Sequence, residues 1–115
     1  MSHQENQIDY VEFPATDIPG TKAFYGTVFA WTFTDYGPDY VSFSDGRLEG
    51  GFTKGSSVAR GGPLVVLYSA ALEKTQAAVE AGGGRIARPI FSFPGGRRFH
   101  FLDPNGNELA VWSDT

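Results

Sequence analysis

The stretch that decides the fold is FHFLDPNGNELAVW, residues 99–112, in which two alternating apolar runs flank a turn. Pro104 restricts φ to a turn value, while Asn105 and Gly106 tolerate positive φ, so the flanking runs can pair as a β-hairpin. Successive side chains of a strand point to opposite faces of the sheet. One face is apolar and should belong to the core: Phe99, Phe101, Leu109 and Val111. The other face is mixed and is available for function: His100, Leu102, Glu108 and Ala110.

Length and composition favour a single domain, residues 1–115, that needs no covalent staple. The chain has no cysteine, which excludes disulfides, thiolate metal sites and a cysteine nucleophile. No apolar run approaches the roughly 20 residues of a membrane span, and the amino terminus is polar, so we expect a cytoplasmic protein without membrane contact. A net charge of -4 argues against nucleic acid as a partner. The local basic cluster of Arg85, Arg88, Arg97 and Arg98 is interpreted as a solvated sheet edge.

The first part of the chain reads as one β-α-β-β-β module, residues 8–53. A strand is expected over 8–13, followed by a helix that Asp17 caps, that carries Pro19 in its first turn and that ends near Phe29. Alternating runs then predict strands over 30–36, 40–44 and 48–53.

The same order of signals begins again after a linker over residues 54–63, which is rich in Gly and Ser. The second module, residues 64–113, should contain a strand over 64–68, a helix over 71–81 and strands over 85–89, 97–102 and 108–112. The hairpin signals YVSFSDG (40–46) and FHFLDPNG (99–106) match in type, which indicates internal duplication. Neither copy could bury both faces of its sheet alone, so we expect them to share a core or to curve around one cleft.

Several motifs in this order resemble the vicinal oxygen chelate superfamily, which includes glyoxalase I, extradiol dioxygenases, and the fosfomycin and bleomycin resistance proteins. They are Asp17 followed by AFYGTVFAW (23–31), then EAGG (80–83), then DPNGN (103–107). The resemblance covers residues 8–113 and implies an α+β fold. Two βαβββ modules would form a curved, partly open, eight-stranded mixed sheet with the helices outside and a ligand held in the concave interior. It also implies a homodimer.

The resemblance implies a divalent metal, bound by a His, Gln or Glu in the first strand of a module and by a carboxylate just after the Asp-Pro turn. Carried over by motif, the first-strand position is Tyr10, the start of the second module is 64–66, and the last-strand position is Ala110. None of these residues is a suitable ligand for such a cation. We therefore expect no metal cofactor.

A displaced site is the alternative. By strand alternation, Glu12, His100 and Glu108 share the sheet face of Tyr10 and Ala110, and together they could bind a divalent metal or perform general acid–base chemistry. The competing interpretation, which we prefer, is that the carboxylates at the strand ends are solvated and that His100 lines a pocket.

The aromatic content supplies a second functional signal, with ten Phe, five Tyr and two Trp. Rings lining a concave surface would bind a flat or apolar ligand by stacking and burial. The aromatic candidates on strands or loops that could border the cleft are Tyr10, Trp31, Phe33, Tyr40, Phe91, Phe93 and Trp112. Packing of the same rings in the core is the alternative, and for Tyr10 and Trp112 the two interpretations are equally supported. The residues that we expect to line the pocket are Tyr10, Glu12, Trp31, Phe33, His100, Glu108 and Trp112.

Three functions remain open from the sequence. The first is a metal-independent protein that binds an apolar or aromatic small molecule, in the manner of the bleomycin resistance proteins. The acidic balance of the chain favours a cationic or neutral ligand. The second is a metal-dependent lyase, isomerase or dioxygenase of glyoxalase type that uses the displaced residues. The third is an accessory domain without a ligand.

Overall fold

The computed structural model describes residues 3–6, 8–55, 58 and 61–115. It divides into two compact units, residues 1–58 and 59–115, with the division inside the expected linker. Residues 56, 57, 59 and 60 of that linker lie outside the described residues.

The first unit has the predicted β-α-β-β-β order. Its elements are β1 (Tyr10–Ala15), α1 (Ile18–Phe29), β2 (Thr32–Asp35), β3 (Tyr40–Ser44) and β4 (Glu49–Lys54). They form a four-stranded sheet in the order β1-β4-β3-β2. The β1 and β4 strands are parallel, and the other pairs are antiparallel, so the sheet is mixed.

The second unit repeats this topology. Its elements are β5 (Val65–Tyr68), α2 (Leu72–Ala81), β6 (Arg85–Phe93), β7 (Gly96–Leu102) and β8 (Glu108–Ser113). The sheet order β5-β8-β7-β6, with β5 and β8 parallel, is the order of the first sheet repeated. The α+β class, the eight strands and the duplicated βαβββ module are therefore confirmed.

The α1 helix begins where the sequence predicts, because Asp17 caps it. The backbone N–H of Gly20 donates to Oδ1 of Asp17 at 3.2 Å, which satisfies one of the unpaired amides of the first turn. The helix ends at Ala30, whose positive φ of 60° turns the chain back so that Trp31 N–H donates to the Tyr25 carbonyl. This cap directs Trp31 towards the helix.

An aromatic core lies between α1 and the first sheet. The Trp31 ring stacks on Tyr25 at 4.5 Å and on Phe43 at 4.4 Å between centroids. Phe52 contacts both Tyr25 and Phe13, at 5.2 and 5.3 Å. Much of the aromatic content of the chain therefore serves packing in this unit.

The DPNGN turn between β7 and β8 is held by a buried carboxylate. Oδ1 of Asp103 accepts hydrogen bonds from the backbone N–H groups of Asn105 and Asn107, each at 2.9 Å. Gly106 has a φ of 96°, in the left-handed region that favours glycine. In the first unit, Asp45 accepts from Arg47 and Leu48 in the same way, so the two hairpins share their turn chemistry as well as their sequence pattern.

The β6 strand is longer than predicted. It continues through Pro89 to Phe93, with register shifts between Ile86 and Arg88 and between Arg88 and Phe91. Proline can occupy this strand because β6 is at the edge of the sheet. Gly95, with a φ of 109°, completes a tight turn into β7, so Pro94 and Gly95 form the hairpin connection between β6 and β7.

Candidate functional site

The two faces of the second sheet differ as the closing hairpin predicts. Arg97 on β7 pairs with Glu73 on α2, so the side chains that share its face, Phe99 and Phe101, point towards the helix. Both are fully buried, with Leu109 and Val111 opposite them. We call the face that points away from α2 the distal face. By register it carries Val66, Tyr68, Arg88, Phe91, Arg98, His100, Glu108, Ala110 and Trp112.

The distal face contains a histidine held by a carboxylate. Nδ1 of His100 lies 3.0 Å from Oε2 of Glu108, and the two side chains are 11% and 34% exposed. This contact orients the imidazole ring and settles which nitrogen faces Glu108. Nε2 of His100 is buried and has no hydrogen-bond partner among the residues that the structure describes. The ring therefore presents one unused hydrogen-bonding atom.

Phe91 is the centre of a second group of side chains, which we call the Phe91 cluster: Arg88, Phe91, Phe93, Arg98 and His100. Its ring lies 5.9 Å from the His100 ring, between centroids. The guanidinium carbon of Arg88 is 3.6 Å from the Phe91 centroid, and that of Arg98 is 5.5 Å away. Arg98 also lies 5.7 Å from the Phe93 ring. These are cation–π distances.

The two register shifts of β6 explain this cluster. Residues three apart on a regular strand point to opposite faces, yet Arg88 pairs with His100 and Phe91 pairs with Arg98, which are two apart on one face of β7. An extra residue at a bulge re-aims the side chains that follow it. The sequence reasoning therefore missed Arg88. The signal that could have revealed it is Pro89, since proline inside a strand marks an edge or a bulge.

Trp112 lies on the distal face, as the alternation predicts. Its ring meets Tyr68 edge-on, with centroids 5.3 Å apart and planes at 71°. The Tyr68 hydroxyl donates to Asp114 at 2.7 Å, a hydrogen bond that raises the pKa of Tyr68. Tyr68 is 53% exposed and was not among the predicted site residues.

Two more predicted residues, Tyr10 and Glu12, lie on the first sheet, on the face away from α1. The Tyr40 hydroxyl donates to Oε1 of Glu12 at 2.9 Å and lies 2.5 Å from the Tyr10 hydroxyl. Partial burial and these hydrogen bonds raise the pKa of Tyr40, so it stays protonated and can donate to the carboxylate. Gly51 leaves the room for this pair, because a Cβ there would overlap both hydroxyl oxygens.

The predictions for Trp31 and Phe33 need correction. Trp31 is 7% exposed and stacks between Tyr25 and Phe43 in the helix-covered core. Phe33 pairs with the core residue Phe43 and approaches Gly26 of α1, which places it on the same covered face. The left-handed cap at Ala30 turns the chain so that these rings serve packing.

The residues do not fit the divalent metal that the fold implies. Among the described residues, no three His, Cys, Asp or Glu side chains are grouped so as to hold a metal ion. Glu12 accepts a hydrogen bond from Tyr40, and His100 uses Nδ1 for Glu108. Ala110, at the last-strand position, has no ligand atom and is fully buried.

The sequence matches the family model described as the Glyoxalase/Bleomycin resistance protein/Dioxygenase superfamily over residues 7–111. Since this match spans most of the chain, the protein belongs to that superfamily, as the motifs predict. None of the curated proteins matches the chain.

Solved structures with the same fold include a glyoxalase-related enzyme from Fulvimarina pelagi, 19% identical, with a TM-score of 0.80 over 94% of this chain and 88% of that one. A glyoxalase/bleomycin resistance protein/dioxygenase family enzyme from Burkholderia phytofirmans PsJN is 18% identical, with a TM-score of 0.82 over 94% and 100% of the two chains. A mutant of the fosfomycin resistance protein FosX from Listeria monocytogenes, complexed with Mn(II) and 1S,2S-dihydroxypropylphosphonic acid, is 16% identical, with a TM-score of 0.82 over 95% and 90%. These likenesses show the fold.

Neither helix of the described chain, at 12 and 10 residues, has the length and apolar character to cross a membrane.

Proposed function

We propose that this protein binds a small molecule with an apolar or aromatic part, without a metal, on the distal face of the second sheet. The observation that carries the proposal is the buried Nε2 atom of His100, which lies beside aromatic rings and has no hydrogen-bond partner in the described parts of the chain, 3–6, 8–55, 58 and 61–115.

A buried polar atom without a partner costs about 1–3 kcal/mol, and such atoms often mark binding or catalytic sites. His100 cannot relieve this cost by rotating freely, because Glu108 holds the other ring nitrogen at 3.0 Å. A ligand atom that pairs with Nε2 would remove this cost, and the ligand would therefore bind more tightly.

Aromatic side chains around His100 supply the apolar contact. Phe91 lies against the His100 ring, and Trp112 with Tyr68 forms a second aromatic pair on the same face. Rings of this kind suit a flat ligand, since stacked or edge-on aromatic contacts contribute about 0.5–1.5 kcal/mol beyond burial.

Binding without a metal is supported by the side chains at the positions where relatives would hold one. Tyr10 directs its hydroxyl to Tyr40, and Ala110 has no ligand atom. The carboxylates near these positions, Glu12 and Glu108, have partners in Tyr40 and His100.

Naphthalene-2-carboxamide, a flat neutral probe with hydrogen-bonding groups, is expected to raise the thermal midpoint of the protein and to bind in calorimetry. Trp112→Ala should weaken this binding several-fold, because the variant removes an aromatic contact on the distal face. Tyr36→Ala is the matched control, since Tyr36 is 65% exposed and lies outside β1 to β8. The proposal fails if the probe does not bind. It also fails if Trp112→Ala and Tyr36→Ala weaken probe binding equally.

A second candidate is the metal-dependent lyase, isomerase or dioxygenase with a displaced site at Glu12, His100 and Glu108. The contact between His100 and Glu108 favours it, as does Mn(II) in the FosX complex. Metal analysis separates the two functions. We expect purified protein to hold no stoichiometric divalent ion, and its thermal midpoint to be unchanged by EDTA. A bound ion that is lost in both His100→Ala and Glu108→Ala would overturn the metal-independent proposal.

A homodimer and a cytoplasmic location remain predictions, the first from the family resemblance and the second from the absence of cysteine.

A further inference from the structure

The distal face of the second sheet is locally basic, although the chain carries a net charge of -4. Arg88 and Arg98 both lie at cation–π distance from the Phe91 ring, and neither side chain makes an ion pair or hydrogen bond with any residue that the structure describes. Nε of Arg98 is buried, without a hydrogen-bond partner in the described part of the chain. A buried charged donor is more costly to leave unpaired than a neutral one.

The neighbouring arginine behaves differently. Arg97, one residue before Arg98 and on the opposite face, donates to the Glu73 carboxylate and to the Thr115 carbonyl. Arg97 therefore has an acidic partner on the face that packs against α2. Among the described residues, no carboxylate pairs with Arg98 on the distal face.

The acidic groups near the Phe91 cluster are already engaged. Glu108, on the distal face, is held by His100 at 3.0 Å. Asp114, beyond the end of β8, accepts a hydrogen bond from Tyr68. Among the described residues, neither carboxylate forms an ion pair with Arg88 or Arg98, so these two guanidinium groups have no direct counter-ion in this sheet.

We propose that Arg88 and Arg98 bind an oxyanion, a carboxylate or a phosphate, carried by the flat small molecule whose binding is proposed above. Guanidinium groups pair with such anions through parallel N–H donors, and their contact with Phe91 positions them in advance. The ligand's apolar part would then lie against the aromatic rings, and a polar atom of the ligand would pair with Nε2 of His100. This inference rests on the proposed function and reverses the expectation of a cationic or neutral ligand, because local charge rather than net charge decides recognition.

The test uses three probes that share a naphthalene ring: 2-naphthoate, 2-naphthyl phosphate and the neutral naphthalene-2-carboxamide. Calorimetry should show that at least one anion binds about tenfold or more tightly than the carboxamide. This preference should shrink as KCl is raised from about 20 to about 200 mM, because the site is partly exposed. Which anion binds more tightly distinguishes a carboxylate ligand from a phosphate ligand.

Arg98→Met should abolish the preference for the anion and leave the affinity for the carboxamide within about twofold. Arg97→Met is the matched control and should keep the preference. Arg88→Met provides a second variant if Arg98→Met does not fold, and it too should reduce the preference. The inference is overturned if the carboxamide binds as tightly as both anions, or if Arg97→Met weakens anion binding as much as the distal variants. If none of the probes binds, the proposed function and the oxyanion inference both fail.

Discussion

Replacement of Trp31 by alanine is expected to lower the free energy of unfolding by about 3–5 kcal/mol, the usual cost of removing a large aromatic side chain from a core. Trp31 is 7% exposed and stacks face-on with Tyr25 and with Phe43. Its removal would leave a cavity between α1 and the first sheet that these rigid rings cannot fill. Urea unfolding followed by far-ultraviolet circular dichroism measures the loss without depending on tryptophan fluorescence.

Trp112→Ala is the matched control, because both tryptophans were predicted to line the ligand site. Trp112 is only partly buried and meets Tyr68 edge-on, so its removal should cost less stability and should weaken probe binding. Trp31→Ala should leave probe affinity unchanged wherever the variant is folded. If Trp31→Ala is as stable as wild type but no longer binds the probe, the placement of Trp31 in the core is wrong.

The difference between the two tryptophans indicates what the sequence can predict. Trp112 lies in a regular strand, and period-2 alternation assigns its face correctly. Trp31 follows the helix, where its direction depends on the left-handed conformation of Ala30. Alanine seldom adopts that conformation, so the residue type at position 30 does not predict it.

The turn residues predict the fold more directly than any other feature of the sequence. Asp45 and Asp103 each hold a hairpin by accepting hydrogen bonds from backbone N–H groups of the turn, and these turns set the register of the strands that follow. Duplication of the hairpin then implied duplication of the module. Each of these steps depends on local interactions, which a sequence displays directly.

The candidate site was only partly predictable for the opposite reason. His100, Glu108 and Trp112 belong to regular strands, and their shared face follows from alternation. Arg88 and Phe91 reach that face through two register shifts, which depend on how β6 pairs with β7. The pairing of Arg97 with Glu73 is likewise set by the packing of α2. Such contacts between distant residues are not visible in periodicity.

Replacement of Gly50 by alanine is expected to destabilise the protein by about 3 kcal/mol, the upper part of the usual range for overpacking. Gly50 lies on β4 between β1 and β3, and an added Cβ would overlap the Val11 carbonyl oxygen and the Phe43 ring. The carbonyl belongs to the backbone of a paired strand, and Phe43 is held by its stacking on Trp31. Neither group can move aside cheaply.

Gly51→Ala separates this effect from a general intolerance of side chains in β4. The atoms nearest to a Cβ at Gly51 would be in the phenol ends of Tyr10 and Tyr40, which are the far ends of flexible side chains, and Tyr10 is 43% exposed. The cost should be about 1 kcal/mol, that of one weakened hydrogen bond, and should appear as an altered tyrosine absorbance titration. Urea unfolding of the two variants should therefore differ by about 2 kcal/mol. Equal losses of stability would mean that Phe43 and the β1 backbone move as readily as the phenols of Tyr10 and Tyr40. The aromatic core of the first unit would then be less tightly packed than its stacked rings indicate.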